Sequence, residues 1–131
     1  VEVEADKVGL GRLMANDAEK KQLNTNLALV ATDADGKIVY SKVDVAQIYE
    51  GVLETKFERK EKYDMKKASP IGKEWYEQID FLEKYIVENG LDAVELGEDG
   101  KPVAGSDLAA GCTINLADIM ETANKAAEAA K

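Results

Sequence analysis

Two strand-like segments joined by a five-residue turn constrain the fold of this chain most. The first runs from residue 23 to 32, and the alternation of its side chains places one set of residues on one face of a strand: Leu23, Thr25, Leu27, Leu29 and Ala31. Asn24 and Asn26 lie on the other face. The turn Asp33-Ala34-Asp35-Gly36-Lys37 follows, because glycine adopts positive φ readily and aspartate accepts hydrogen bonds from its own backbone. The chain then returns from Ile38 to Ile48, which predicts a β-hairpin.

Two further strands are predicted on either side of this hairpin. The segment from Val8 to Met14 is apolar and contains two glycines, which predicts a strand with a bulge or with another backbone packed closely against it. The segment from Val52 to Phe57 predicts a fourth strand.

Helical periodicity begins only after these strands. Ser69 is a suitable N-cap and Pro70 suits the first helical position, where a missing N–H is tolerated. An apolar stripe follows at helical spacing, and Gly90 ends it: Ile71, Trp75, Ile79, Leu82 and Ile86. A last helix is predicted to start near Leu116 with Asn115 as its cap, directing Ile119, Met120 and Ala123 towards the core.

Strands followed by helices predict an α+β fold, in which an antiparallel sheet of about four strands is covered on one face by two main helices. The length of 131 residues fits one domain, residues 1–131. No apolar run reaches the length of a membrane span, so we expect a soluble domain.

Composition excludes several classes of chemistry. The chain has no histidine, which removes Ser-His-Asp and Cys-His catalysis and most zinc sites. Its single cysteine, Cys112, cannot form an intrachain disulfide. The formal net charge of -9 disfavours nucleic acid and anionic membrane surfaces as partners. None of the 26 acidic residues lies in an apolar sequence context that would raise its pKa and mark it as a general acid.

Three segments invite a functional interpretation alongside a structural one. Asp33 to Gly36 resembles the start of a calcium loop, but the later acidic ligands are missing and a hairpin turn is favoured. Trp75 could face a planar ligand, yet its place on the apolar stripe favours the core. The small residues from Ser106 to Asn115 precede the last helix. They fit either a tight loop that packs this helix on the sheet or an anion site with Thr113 beside it.

The segment from Ser106 to Asn115 resembles the flavinylation motif of FMN-binding domains in exported bacterial redox proteins. In that motif an aspartate precedes, by three residues, a Ser-Gly-Ala-Thr-like run that opens a final helix. Asp107, Gly111 and Thr113 match the motif, whereas Ala110 and Cys112 stand where serine and alanine are usual. The stretch from Tyr63 to Trp75 also resembles uncharacterised surface proteins of Firmicutes, which would make this chain a degenerate relative of the family.

The resemblance implies that FMN is held covalently through its phosphate at Thr113, for extracytoplasmic electron transfer. Asp107 would orient the loop or assist attachment, Gly111 would let the backbone approach the phosphate, and Cys112 would belong to the same cofactor-binding run. A flavin transferase and a redox partner are the implied partners. The implied location is extracytoplasmic or at the cell surface, with a lipoprotein-type membrane anchor supplied by a removed N-terminal segment. The alternative is a non-catalytic structural or interaction module of the same fold at the cell surface, without flavin.

Overall fold

The computed structural model describes residues 4–17, 19, 22–49, 52–59 and 69–131. Its strands are β1 (Lys7–Asp17), β2 (Gln22–Thr32), β3 (Ile38–Tyr49) and β4 (Val52–Thr55), and its helices are α1 (Lys56–Arg59), α2 (Trp75–Asn89) and α3 (Ala117–Ala129). The strands form one antiparallel sheet in the order β1-β2-β3-β4. The two long helices pack against the sheet, and the predicted α+β class is confirmed.

The turn between β2 and β3 has the predicted chemistry. The Asp33 carboxylate accepts hydrogen bonds from the backbone N–H of Asp35 at 3.0 Å and of Lys37 at 2.9 Å. Gly36 has a φ of 81°, a conformation that favours glycine. The segment is therefore a hairpin turn, as expected, and its aspartate closes the turn.

The two glycines of β1 let α3 approach the sheet closely. The pairing of β1 with β2 runs without a shift in register, so the glycines mark a close approach and not a bulge. A Cβ atom at Gly9 would lie 2.5 Å from the backbone nitrogen of Ala130, and one at Gly11 would lie 2.7 Å from that of Ala126. Any side chain at these positions would collide with the helix backbone.

Small and β-branched side chains line the sheet face beneath the helices. Ala28 and Val30 of β2 and Val43 and Val45 of β3 are buried there. The predicted helical stripe meets them through Trp75, Ile79, Leu82 and Ile86, while α3 adds Ile119, Met120 and Ala123, all buried as predicted. We call this side of the sheet the inner face.

The predicted start of α2 was wrong. The helix begins at Trp75, and Glu74 is its N-cap in a reciprocal capping box with Glu77. Ser69 instead closes a turn in which its carbonyl oxygen accepts the N–H of Gly72 at 3.1 Å. Gly72 has a φ of 64°, which a continuous helix cannot contain.

Two other element boundaries also differ from the prediction. β4 ends at Thr55, because the Thr55 hydroxyl accepts the N–H of Glu58 at 3.1 Å and starts the short helix α1, which contains Phe57. α3 starts at Ala117 with Leu116 as its N-cap, although the Asn115 side chain accepts the N–H of Ala117 at 2.9 Å. Residues 63–68 of the surface-protein stretch lie outside the described residues. No helix in the described part of the chain is long and apolar enough to cross a membrane.

Candidate functional site

Thr113 is fixed to α2 through a buried glutamine. The Oε1 atom of Gln78 accepts the backbone N–H of Thr113 at 2.9 Å and its hydroxyl at 3.4 Å. Gln78 is fully buried, and its Nε2 donates to the Ser69 hydroxyl at 3.2 Å and to the Lys73 carbonyl oxygen at 3.1 Å. The backbone N–H that could have met a phosphate is therefore already used inside the protein.

The two residues before Thr113 are both packed against other parts of the fold. A Cβ at Gly111 would lie within 2.5 Å of ring atoms of Phe81, so glycine is needed there because α2 packs against this backbone. Cys112 is completely buried in the core, and burial raises its pKa to about 11, an effect that a hydrogen bond from the backbone of Ile114 partly opposes. Cys112 is therefore closed to a ligand, and the half-buried Gly111 is covered in part by the Phe81 ring.

Asp107 lies apart from this buried run. It is exposed, its backbone carbonyl accepts the N–H of Ala110 at 3.3 Å, and its carboxylate forms no hydrogen bond with a described residue. The segment 108–110 is a short 3-10 turn that leads into the half-buried Gly111 and the buried Cys112. The four residues of the motif therefore do not converge on one surface.

An open depression of about 760 Å³ borders Thr113. Ten residues line it: Pro70, Gly97, Glu98, Asp99, Lys101, Pro102, Val103, Ala104, Ala109 and Thr113. Its charged residues are two carboxylates and one ammonium, so the lining repels an anion on balance. Cys112 and Gly111 do not line it. Of the four predicted cofactor-binding residues, only Thr113 lines this depression.

A second open depression lies elsewhere and shares none of these residues. It has a volume of about 810 Å³ and is formed by the β2–β3 turn, the end of α2 and the end of α3. Within the described ranges, no group of three or more cysteine and acidic side chains could hold a metal ion. Nothing in this depression aligns with the sequence motif.

Glu83 is a buried carboxylate that the sequence analysis did not find. Its Oε2 accepts the backbone N–H of Val43 at 2.6 Å, and its Oε1 lies 3.7 Å from the Lys42 ammonium. Burial raises the pKa of Glu83 to about 7, although the Val43 N–H and Lys42 both act to lower it. The expectation that no acidic residue would have a raised pKa was wrong.

The position of Glu83 in the sequence carried a usable signal. It follows Leu82 and lies four residues after Ile79 and three before Ile86, so it borders the apolar stripe of α2. In the fold it covers the edge of β3 where the short β4 leaves an N–H of the sheet unpaired. Its role in the native state is to complete that hydrogen bond.

The sheet face opposite the helices carries six of the eight large hydrophobic side chains that are exposed among the described residues. We call it the outer face, and its residues are Val8, Leu10, Arg12, Met14, Asn16, Leu23, Thr25, Leu27, Leu29, Ala31, Tyr40, Lys42, Asp44, Ala46, Ile48, Leu53 and Thr55. Leu10 and Met14 are each 65% exposed and Leu53 is 68% exposed. The leucine-rich side of β2 predicted from the sequence therefore faces away from the helices.

This geometry defines the protein as a two-layer α+β domain with one open, apolar sheet face. Comparison with protein-family models, with curated protein sequences and with solved structures finds no match to this chain.

Proposed function

We propose that this protein is a non-catalytic interaction module that binds a protein partner through its outer face. The observation that carries this proposal is the set of large apolar side chains exposed on that face, among them Val8, Leu10 and Met14 of β1 and Leu53 of β4. Antiparallel sheets with one covered face normally alternate apolar and polar residues, so that the open face is polar. Here the open face is the more leucine-rich of the two.

The size of the outer face supports the same function. Three long strands about 4.8 Å apart, with nine residues each at about 3.4 Å, cover an area of about 15 Å by 30 Å. Soluble monomers rarely expose a contiguous apolar patch of more than a few hundred Å², and larger patches mark interaction sites. The chemistry of the face thus fits a contact surface that is desolvated when the protein works.

Thiol labelling in cells tests whether the outer face is covered. Cys112 is the single native cysteine, and its buried thiol with a raised pKa reacts slowly, so an introduced surface cysteine dominates the labelling. Leu10→Cys places a thiol on the outer face, and Glu121→Cys places a control thiol on the exposed side of α3. Each variant is treated with a maleimide reagent, as purified protein at low concentration and in the cells that make it.

We expect both thiols to react at similar rates in the dilute purified protein. In cells we expect the Leu10→Cys thiol to react at least about ten times more slowly than the Glu121→Cys thiol, because a bound partner excludes the reagent from the face. Equal rates for the two variants in cells would show that the face is open to solvent and would refute the proposal.

A second candidate function is FMN binding with the phosphate at Thr113. One observation favours it, since Thr113 borders the open depression and its hydroxyl is held in a fixed place by Gln78. The electron-transfer chemistry would be supplied by FMN, and the protein would supply its position. This function carries with it a flavin transferase, a redox partner and an extracytoplasmic location. The two carboxylates in the lining, the Phe81 ring packed against Gly111 and the buried Cys112 favour the interaction module over it.

Intact mass and absorbance distinguish the two functions. The chain is co-expressed with a flavin transferase, and its mass is compared with that of a Thr113→Ala variant. A mass gain of FMN less one water, lost in Thr113→Ala, supports the flavin function. An unmodified, colourless chain supports the interaction module, and an adduct that persists in Thr113→Ala excludes Thr113 as the attachment site.

A further inference from the structure

We propose that the outer face binds the outer face of a second copy of this chain and forms a two-fold symmetric dimer. This inference rests on the proposed interaction function and names its partner. Two antiparallel sheets can stack with their faces about 10 Å apart and their strands within about 30° of each other. The question is whether this face is complementary to itself.

The register of the strand pairing identifies one row of outer-face residues across β1, β2 and β3 that is complementary to itself. Arg12 of β1 pairs with Leu27 of β2, which pairs with Asp44 of β3. A two-fold axis that lies between the two faces and runs along β2 places β1 of one copy over β3 of the other. Such an axis preserves the position along the strands, so Arg12 of each copy faces Asp44 of the other. One symmetric dimer therefore contains two opposite-charge pairs.

Both charges are free to make this pair. Arg12 is exposed and forms no ion pair with a described residue. The Oδ1 atom of Asp44 accepts the N–H of Val45 at 2.8 Å and the N–H of Phe57 at 3.3 Å, which holds the carboxylate in place. Its second oxygen makes no hydrogen bond with a described residue, and a carboxylate accepts further bonds from a guanidinium readily.

The adjacent row contains Leu10, Leu29 and Lys42, so Lys42 of one copy would lie over Leu10 of the other. The Lys42 ammonium lies 3.7 Å from the Glu83 carboxylate of its own copy, which leaves the alkyl part of its side chain to meet that leucine.

The remaining contacts on and beside the axis are apolar under the same symmetry. Leu27 and Leu29 lie on the axis and would meet their own copies. Val8, Ala31 and Tyr40 form one row, so Val8 of one copy would lie over Tyr40 of the other. Leucine on leucine and valine on an aromatic ring are favourable pairs that remove apolar area from water.

The distribution of charge favours a second copy over a basic partner. The whole chain has a formal net charge of -9, but the charged residues of the outer face are Arg12, Lys42 and Asp44 among the residues that the structure describes. The acidic charge therefore lies on other surfaces, where it repels another copy. The outer face is the surface on which that repulsion is weakest and on which charges of both signs are present.

The area is sufficient for a weak dimer. Two faces of about 15 Å by 30 Å bury about 900 Å² as flat rectangles, and the relief of the side chains raises this towards the lower end of standard interfaces, about 1,200 Å². Small interfaces of this kind give dissociation constants in the micromolar range, roughly 1–100 µM. The dimer should therefore be visible in solution at accessible concentrations.

Charge reversal with mixing provides the test. Sedimentation equilibrium of the wild-type chain from about 1 µM to 1 mM should show a monomer–dimer equilibrium. Arg12→Glu places a second carboxylate against Asp44 in both pairs, and Asp44→Lys places a second cation against Arg12 in both pairs. We expect each variant alone to dimerise about 100-fold more weakly than the wild type, since like charges are juxtaposed twice. An equimolar mixture of the two variants should recover a heterodimer of near wild-type affinity, because both pairs are then of opposite charge.

A second variant keeps the test decisive if Asp44→Lys disturbs α1. Leu27→Lys places two like charges on the axis and should also abolish the dimer, while circular dichroism of every variant reports on its fold. A wild-type chain that remains monomeric at about 1 mM overturns the proposal, and so does a dimer that Arg12→Glu and Leu27→Lys leave unchanged. If the chain is monomeric but the Leu10→Cys thiol is protected in cells, the face binds a different protein and the interaction function stands without the dimer.

Discussion

Replacement of Gly9 by alanine tests the closest contact in the fold. The new Cβ would lie 2.5 Å from the backbone nitrogen of Ala130 and closer still to the carbonyl oxygen of Ala126. Side-chain Cβ atoms are not found within 3.0 Å of such atoms, so the Ala130 nitrogen alone requires α3 to move away from β1 by the difference, 3.0 − 2.5 = 0.5 Å, and the closer oxygen of Ala126 requires a larger shift. Backbone atoms cannot relieve this contact by a change of rotamer, so the whole end of the helix must shift.

The cost of this shift follows from what α3 buries. Ile119, Met120, Ala123 and Ala126 pack into the core from this helix, and together they account for about 6 kcal/mol of burial. A gap of 0.5–1 Å forfeits roughly a quarter to a half of the contact energy, so the loss is about 1.5–3 kcal/mol. The reduced entropy of the unfolded chain with alanine offsets about 0.5–1 kcal/mol of this loss. We expect Gly9→Ala to lower the free energy of unfolding by about 1.5 kcal/mol.

Urea unfolding followed by the fluorescence of Trp75 measures this change, because Trp75 is the single tryptophan and is buried. Gly97→Ala is the matched control: the nearest atom to its Cβ would be a side-chain oxygen of Asp99 at 3.2 Å, which can rotate away. We expect Gly97→Ala to change stability by less than about 1 kcal/mol. A Gly9→Ala variant within about 0.5 kcal/mol of the wild type would show that α3 does not lie where the structure places it.

Three further predictions concern buried polar groups. Because the pKa of Glu83 rises from 4.5 in the unfolded chain to about 7 in the fold, its contribution to stability is complete below pH 4.5 and is lost as the pH rises through 7. Between urea titrations at pH 5 and at pH 8, the free energy of unfolding of the wild type should fall by about 2 kcal/mol, after allowance for partial exposure. The Glu83→Gln variant should not show this fall. The Ser41 hydroxyl is buried without a hydrogen-bond partner among the described residues, so Ser41→Ala should stabilise the fold by about 1 kcal/mol; a loss of stability in thermal unfolding would contradict this. The Cys112 thiol should react with a disulfide reagent at pH 8 only at the rate of unfolding, and a fast reaction in the native protein would disprove its burial.

Local chemistry made much of the secondary structure predictable. The hairpin turn follows from Asp33 and Gly36, and the buried stripe of α2 follows from the spacing of its apolar residues. The start of α2 was misplaced because Ser69 and Pro70 look like a helix start when read alone. The positive φ of Gly72 and the reciprocal pair Glu74 and Glu77 set the boundary instead, and Ser69 closes the turn before it.

The candidate sites were less predictable, because each depends on contacts distant in sequence. Gly111 is explained by Phe81, and the hydrogen bonds of Thr113 are explained by Gln78, which is 35 residues away. Glu83 binds an N–H of β3 that is 40 residues away. Periodicity describes one element at a time, so it cannot show which partner a side chain meets.

Alternation, turn residues and helical spacing are local properties, so the order of the amino acids was enough to predict a hairpin-based sheet followed by two long helices. The same alternation placed the leucines of β2 on one side of that strand. Which side the helices cover became known only from the fold. Gly9 and Gly11 leave room for the backbone of α3 on the face of Ala28, where small side chains permit a close approach. The bulkier leucine face remained open as a result, and the proposed dimer depends on that choice.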